Sequence, residues 1–345
     1  MSPWTRFLLC AATAAGLQFG AANAQTPAAQ PSWMMPEILA EARAEGGLTV
    51  YGSVNEQEAF PLWKLFEDST GIKLSYVRAS DSQLSSRILL EARAQQRSWD
   101  LYVSTAVIKL PTDLLAQTDP PLASTLIPQA RDPNRRWYGS SANYNTPAYN
   151  TKYVKASDMP KTFEGFLDHP EWVGKIAIDG TDGQWLSAIY AHFGEDKAKK
   201  LMGDLVTKMK ITTLDGHLAL ARAVGLGEYW IALNNYTTLT YNVQLAGEPT
   251  DIWPMDPVAL FLIQVGVSSR APHPKTALLA TNFLLSREAQ QFAAKTGRIP
   301  VRTDVTPNPP DALSRLNGYK IVATQFSPEE ERKWQRTFDS VFKGK

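Results

Sequence analysis

Residues 35–103 alternate amphipathic helices with short apolar strands, and that alternation confines the chain to one class of architecture. Residues 35–45 place Ile38, Leu39 and Ala42 along one helical face, and Gly46-Gly47 stops the helix. Residues 48–51 read as a short strand closed by Gly52-Ser53. A helix over 56–69 spaces Phe60, Leu62, Trp63 and Phe66 for a core face, and Gly71 ends it. Residues 72–77 alternate as a strand, 82–96 form a helix with Leu84, Ile88, Leu89 and Ala92 inward, and 99–103 form a third strand. A β-α-β-α-β order buries both faces of a parallel sheet under helices. In such sheets small molecules bind beyond the carboxyl ends of the strands. Here those ends are Gly52-Ser53-Val54-Asn55, Ala79-Ser80-Asp81-Ser82 and Ser104-Thr105.

A second α/β unit follows a loop-rich stretch. Residues 120–138 carry Pro120-Pro121, Asp132-Pro133 and Arg135-Arg136, and 137–150 are polar and aromatic. Residues 175–178 are expected as a strand, and Gly180-Thr181-Asp182-Gly183 turns into a helix over 184–193. Helices over 196–209 and 217–226 and a strand over 229–233 come next. The apolar run 258–267 reads as a strand returning between two lobes, and helices over 275–285 and 288–296 complete the packing. The expected organisation is a first lobe of 35–140 plus about 262–305, a second lobe of 141–261, and a C-terminal helical segment, 306–345, packed on them.

The first 24 residues read differently from the rest. Arg6, an apolar stretch over 7–20 and Ala22-Asn23-Ala24 together describe a secretory signal peptide cleaved after Ala24. The stretch is shorter than the ~20 residues that span a bilayer. A buried N-terminal helix is the competing reading, but Gly16, Gly20 and the small-residue tail suit cleavage better. Residues 25–34 then form a flexible leader. Cleavage removes Cys10, the one cysteine, and with it any disulfide, thiolate metal site or cysteine nucleophile. Loss of Arg6 takes the formal net charge from +1 to zero. A neutral chain with 20% charged residues offers no electrostatic footprint for nucleic acid. At 44% hydrophobic residues it can bury a substantial core.

Four segments in order resemble one protein family. They are EILAEARAEGGLTVYGS, FEDSTGIKLSYVRASDSQLSSRILLEA, YNTKYVKASDMPKTFEGFLDHPEWVGKIAI and FLLSREAQQFAAKTGRIPVRTDV. They resemble the ferric-iron-type extracellular solute-binding proteins that serve ABC importers. The resemblance runs from about Pro36 to about Val305. It implies a two-lobe α/β fold of the type II periplasmic-binding-protein kind, hinged on crossing strands. It also implies a periplasmic location, a small-molecule ligand in the inter-lobe cleft, an ABC permease at the inner membrane as partner, and a monomer. No cofactor and no catalytic residue are expected.

The resemblance does not extend to iron. Iron-binding members use a histidine after the first strand, a glutamate after the third and two adjacent tyrosines. Here Asn55 stands near the first position, Thr105 near the second, and Tyr236 is followed by Thr237. Hard ferric iron suits phenolate and carboxylate oxygens, whereas these substitutes are neutral donors and acceptors. Ser53, Asn55, Ser80, Thr105, Thr181, Gly183 and Tyr236 are therefore the candidate ligand-binding residues, with no metal ligand among them. They suit an organic acid, a zwitterion, or a phosphonate or phosphate. A turn such as Gly180–Gly183 before a helix attracts negative ligand atoms, although a plain N-cap by Thr181 or Asp182 accounts for it equally. Asp182 would repel a strongly anionic ligand and could hold an amine.

Other residues carry two readings each. His169, His192, His217 and His273 show no metal-ligand spacing and are expected at the surface or behind the site. Tyr138, Tyr144, Tyr149, Trp185, Trp253 and Asp256 either face the cleft or pack the core. Arg78 either pairs with a ligand carboxylate or forms a surface ion pair. Arg298 and Arg302 are expected to hold the C-terminal segment. No nucleophile elbow, P-loop, zinc-protease helix or dinucleotide turn is present, so an enzyme is the least favoured class. A ferric-iron transport protein and a ligand-sensing subunit of a membrane receptor are the competing classes.

Overall fold

The computed structural model describes residues 31–323 and 328–344. The expected signal peptide, and the part of the expected leader before residue 31, lie outside them. In chain order the regular elements begin with α1 (Pro36–Glu45), β1 (Leu48–Gly52), α2 (Glu56–Thr70), β2 (Leu74–Arg78), α3 (Asp81–Arg93) and β3 (Leu101–Ser104). Short 3₁₀ turns then lead to β4 (Trp137–Asn150), β5 (Ile176–Asp179), α4 (Gly183–Phe193), α5 (Glu195–Met209), β6 (Thr212–Leu214), α6 (His217–Leu226), β7 (Ile231–Tyr236), α7 (Thr237–Leu245) and β8 (Thr250–Ile252). The chain closes with β9 (Val258–Val267), α8 (Pro274–Leu284), α9 (Arg287–Lys295), β10 (Ile321–Ala323) and α10 (Pro328–Phe342).

The sheet explains why both faces of the alternating segments are apolar. Its order is β2-β1-β3-β9-β4-β7-β5-β6, with β10 on β9 and β8 on β4. Two parallel blocks, β2-β1-β3 and β7-β5-β6, sit at its ends. Between them the long strands β9 and β4 run antiparallel to each other and to their outer neighbours. The sheet is thus mixed, and the two long strands join the parallel blocks into one.

Two large hydrophobic cores flank this pair. The first gathers Trp33, Trp63, Phe66, Tyr102 and Phe283 with the sheet residues of β1, β3 and β9. The second gathers Phe163, Phe166, Trp172, Trp185 and Met202, and it closes with Phe338 and Phe342 of α10. The C-terminal segment divides between them, since Ala312 and Leu316 join the first core. No helix among the described residues is long and apolar enough to cross a membrane.

Local chemistry sets the helix ends. Asn55 caps α2, and its side chain accepts from Glu58 N at 3.3 Å. Ser80 caps α3 in a capping box with Gln83, and Asp182 caps α4 by accepting from Trp185 N at 2.9 Å. One expectation about α2 needs correction. Phe60 is 51% exposed and leans on the Tyr76 ring instead of entering the core. Residues 137–150, polar and aromatic in sequence, form a 14-residue strand. Several of its polar side chains are paired inside: Asn150 donates to Val224 O at 2.7 Å, and Asn143 accepts from Thr238 Oγ1 at 2.7 Å.

Candidate functional site

The carboxyl ends of the parallel strands from both blocks open into one cavity of about 860 Å³. The first block supplies Ser53 after β1, Ser80 and Asp81 between β2 and α3, and Thr105 after β3. The second supplies Thr181, Asp182, Gly183 and Gln184 between β5 and α4, His217 at the start of α6, and Tyr236 at the end of β7. Six of the seven residues expected from the sequence therefore line the same space.

Asn55 is the exception and is corrected here. It lies outside the lining, because its amide is engaged at the start of α2, where it also donates to Glu58 Oε1 at 2.9 Å. The other two-sided candidates resolve as follows. Trp185 is fully buried against Phe163 and Phe342, so it packs the core. Trp253 donates from Nε1 to Pro160 O at 2.6 Å, and Asp256 accepts from Lys320 N at 2.6 Å. Tyr138 donates to Thr118 O, while Tyr144 and Tyr149 are buried in the two cores. Arg298 pairs with Glu58 at 2.9 Å and Arg302 with Asp304 at 2.8 Å. Arg78 is exposed and outside the cavity.

On the first-core side, Asp81 organises the wall. Its two carboxylate oxygens accept from Ser104 Oγ and Thr105 Oγ1, each at 2.5 Å. The same helix then presents Ser82, Ser85, Ser86 and Leu89 to the cavity, a face with helical spacing. Leu89, expected inward, thus lies on the cavity side of α3. Lys109, on the 3₁₀ turn after β3, completes this wall.

On the second-core side, buried Asp182 is the hub. Besides capping α4, it accepts from Asn145 Nδ2 at 2.5 Å and Asn234 Nδ2 at 3.2 Å. Asp179 is fully buried and holds Thr181 through N at 2.8 Å and Oγ1 at 2.6 Å. His217 Nε2 lies 3.4 Å from Asp182 and 3.7 Å from Asp179, and the ring stacks on Tyr236 with centroids 3.9 Å apart. Of the two readings of His217, at the surface or behind the site, the surface one is corrected. Its ring is buried in the cavity wall, drawn there by two carboxylates. The sequence signal was its place at a helix start just after a strand of the second block.

Electrostatics follow from this burial. Desolvation lowers the His217 pKa, but the Asp182 hydrogen bond and the charges of Asp179 and Asp182 outweigh it, so the net shift is upward. The Tyr236 phenol is pushed well above its ordinary range by burial and by the nearby carboxylates, so it stays a protonated donor. A histidine whose folded pKa is raised adds stability below its unfolded value near 6.5, and that stability is lost as pH rises through the folded value. The stability difference between the wild type and His217→Gln is expected to be largest below pH ~6.5 and to shrink with rising pH. Thermal melts of both proteins from pH 5 to 9 check this.

The third wall was not visible in the sequence. Glu331, Arg332 and Gln335 of α10 face the cavity. Gln335 Nε2 donates to Gly180 O at 3.1 Å. A side chain at Gly183 would meet the α10 backbone, with Trp334 C and Gln335 N 2.7 Å from a built Cβ. Glycine is what lets α10 lie directly on the start of α4.

A family model described as bacterial extracellular solute-binding protein matches residues 94–322, more than half of the chain. The chain belongs to this family. Among similar curated proteins, a 2-aminoethylphosphonate-binding periplasmic protein of Salmonella typhi is 24% identical over 91% of this chain and 90% of its own length. An Fe(3+)-binding periplasmic protein of Serratia marcescens is 26% identical over 54% of this chain, a match that spans 56% of the relative's length. Among solved structures, the substrate-binding protein of an ABC transporter from Agrobacterium tumefaciens superposes with a TM-score of 0.72 at 16% identity. That match covers 87% of this chain and 96% of the other, and establishes the mixed α/β fold of periplasmic binding proteins. The family-level resemblance, the fold class and the solute-binding character expected from the sequence are all met.

Proposed function

We propose that this protein is the periplasmic substrate-binding component of an ABC importer. It captures a small organic ligand with an anionic group, with or without an amine, between its two cores. The observation that carries this reading is the convergence of Ser53, Ser80, Thr105, Thr181, Gly183 and Tyr236, from opposite ends of one sheet, on a single cavity. Hydroxyl and amide donors suit carboxylate, phosphonate or phosphate oxygens. The acidic residues Asp81 and Asp182 suit an amine. The Salmonella relative, described as binding an aminophosphonate, supports the same class.

The mature chain begins at Gln25 after export, works as a monomer and performs no chemistry on its ligand. Lobes of about 35–140 with 262–305, and of 141–261, close on the ligand about β4 and β9. Only the closed state makes both sets of contacts, so ligand shifts the population toward it. The two separate cores on either side of these strands support this division. The closed form then docks on a membrane permease.

Ferric iron is less well supported, although the Serratia relative is described as binding it. The hydroxyl of Thr105 is bonded to Asp81, and Asn55 is engaged as a helix cap. No cluster of three or more His, Cys, Asp or Glu side chains among the described residues is arranged to hold a metal. Calorimetric titration with 2-aminoethylphosphonate, inorganic phosphate and ferric citrate tests the reading. Stoichiometric binding of an organic anion or zwitterion at ~1 μM or tighter, with the ligand recovered unchanged, is expected. Binding of ferric iron alone would overturn it.

A further inference from the structure

Lys109 is a cation set deep in the cavity wall. Its side chain is 11% exposed, and its neighbour Val107 is fully buried in the first core. A shielded ammonium needs a counter-charge, because its lost hydration is otherwise uncompensated. That counter-charge is Glu331, which reaches Lys109 from α10. The two residues come from opposite sides, since Phe338 and Phe342 root α10 in the second core.

Glu331 differs from the other acids of the cavity. The Asp81 and Asp182 carboxylates are held by hydroxyls, amides and His217. Glu331 is 43% exposed on a helix surface, so it can return to water at little cost. Arg332 beside it lines the same cavity and has no ion-pair partner among the described residues. The ion pair therefore combines a fixed, desolvated cation with an exchangeable anion.

We propose that Lys109 is the anchor for the ligand's anionic group, and that Glu331 occupies this place until ligand displaces it. This rests on the site reading above and adds a residue pair that sets specificity for anions. Glu331 is an internal stand-in for the ligand's carboxylate, phosphonate or phosphate. Arriving ligand takes over Lys109, and the freed Glu331 is hydrated.

The pair gives opposite expectations for its two members. Glu331→Gln removes the competitor and is expected to bind 2-aminoethylphosphonate or inorganic phosphate roughly two- to fivefold tighter. Lys109→Met is expected to bind at least ~10-fold more weakly, and Lys109→Arg to restore most of the affinity. A merely structural ion pair would weaken binding in both variants, so the opposed signs are the diagnostic. Circular dichroism melts on each variant confirm folding. Weaker or unchanged binding by Glu331→Gln, with the wild type binding normally, overturns the inference alone. Failure of both wild type and Glu331→Gln to bind either probe overturns the proposed function and this inference together.

Discussion

Asp182→Ala is expected to lower the free energy of unfolding by about 3–5 kcal/mol, the usual loss when one member of a buried charged network is removed. Asp182 is 4% exposed and serves four partners at once. Its loss leaves Trp185 N, Asn145 Nδ2 and Asn234 Nδ2 without acceptors, and each buried orphan costs about 1–3 kcal/mol. It also takes one of two counter-charges from His217, so the raised pKa of that histidine falls. Asp182→Asn separates the effects. An asparagine oxygen still caps α4, whereas the negative charge beside His217 is gone. Guanidinium denaturation of the three proteins at pH 6 should rank them wild type, Asn, Ala. A change below ~1 kcal/mol for the alanine variant would mean that the hub does not act as a unit.

Tyr236→Ala is expected to weaken ligand binding by more than ~10-fold, a loss of ~1.4 kcal/mol or more. Tyr236 lines the cavity, stacks on His217 and meets Phe261 at 5.4 Å between ring centroids. Alanine therefore removes a cavity-lining phenol and also the ring stacked on His217. Stability should fall too, by about 1–2 kcal/mol, less than the loss for a fully buried aromatic, because Tyr236 is half-buried. Tyr236→Phe keeps the stack and deletes the hydroxyl alone. Binding by the phenylalanine variant that matches the wild type would assign Tyr236 to packing. A loss comparable to that in alanine would assign it to hydrogen bonding with the ligand. Calorimetric titration alongside thermal melts separates the two.

The local order of the chain was legible because helix and strand periods are local. The helix over His217–Leu226 and the strand over Val258–Val267 were readable to the residue, since apolar spacing and glycine punctuation mark their ends. Strand ends pointed to the cavity for the same reason. Features set by distant partners were not legible. β4 carries Asn143, Asn145, Thr146 and Asn150, a polar composition that does not show its burial, which depends on bonds to Asp182, Thr238 and the end of α6. His217 reads equally as a surface residue or one behind the site until Asp179 and Asp182 close around it. The α10 wall depends on contacts such as that of Gln335 with Gly180, 155 residues apart, which no window of sequence can show.

Native mass spectrometry of the mature chain from Gln25, purified from its host without refolding and with metal analysis of the same sample, tests the central claim most directly. One bound organic anion or zwitterion per monomer, released unchanged on denaturation and without iron, is the expected result. Stoichiometric iron with no organic mass would contradict it, and would mean that Tyr236 and other residues build a metal site.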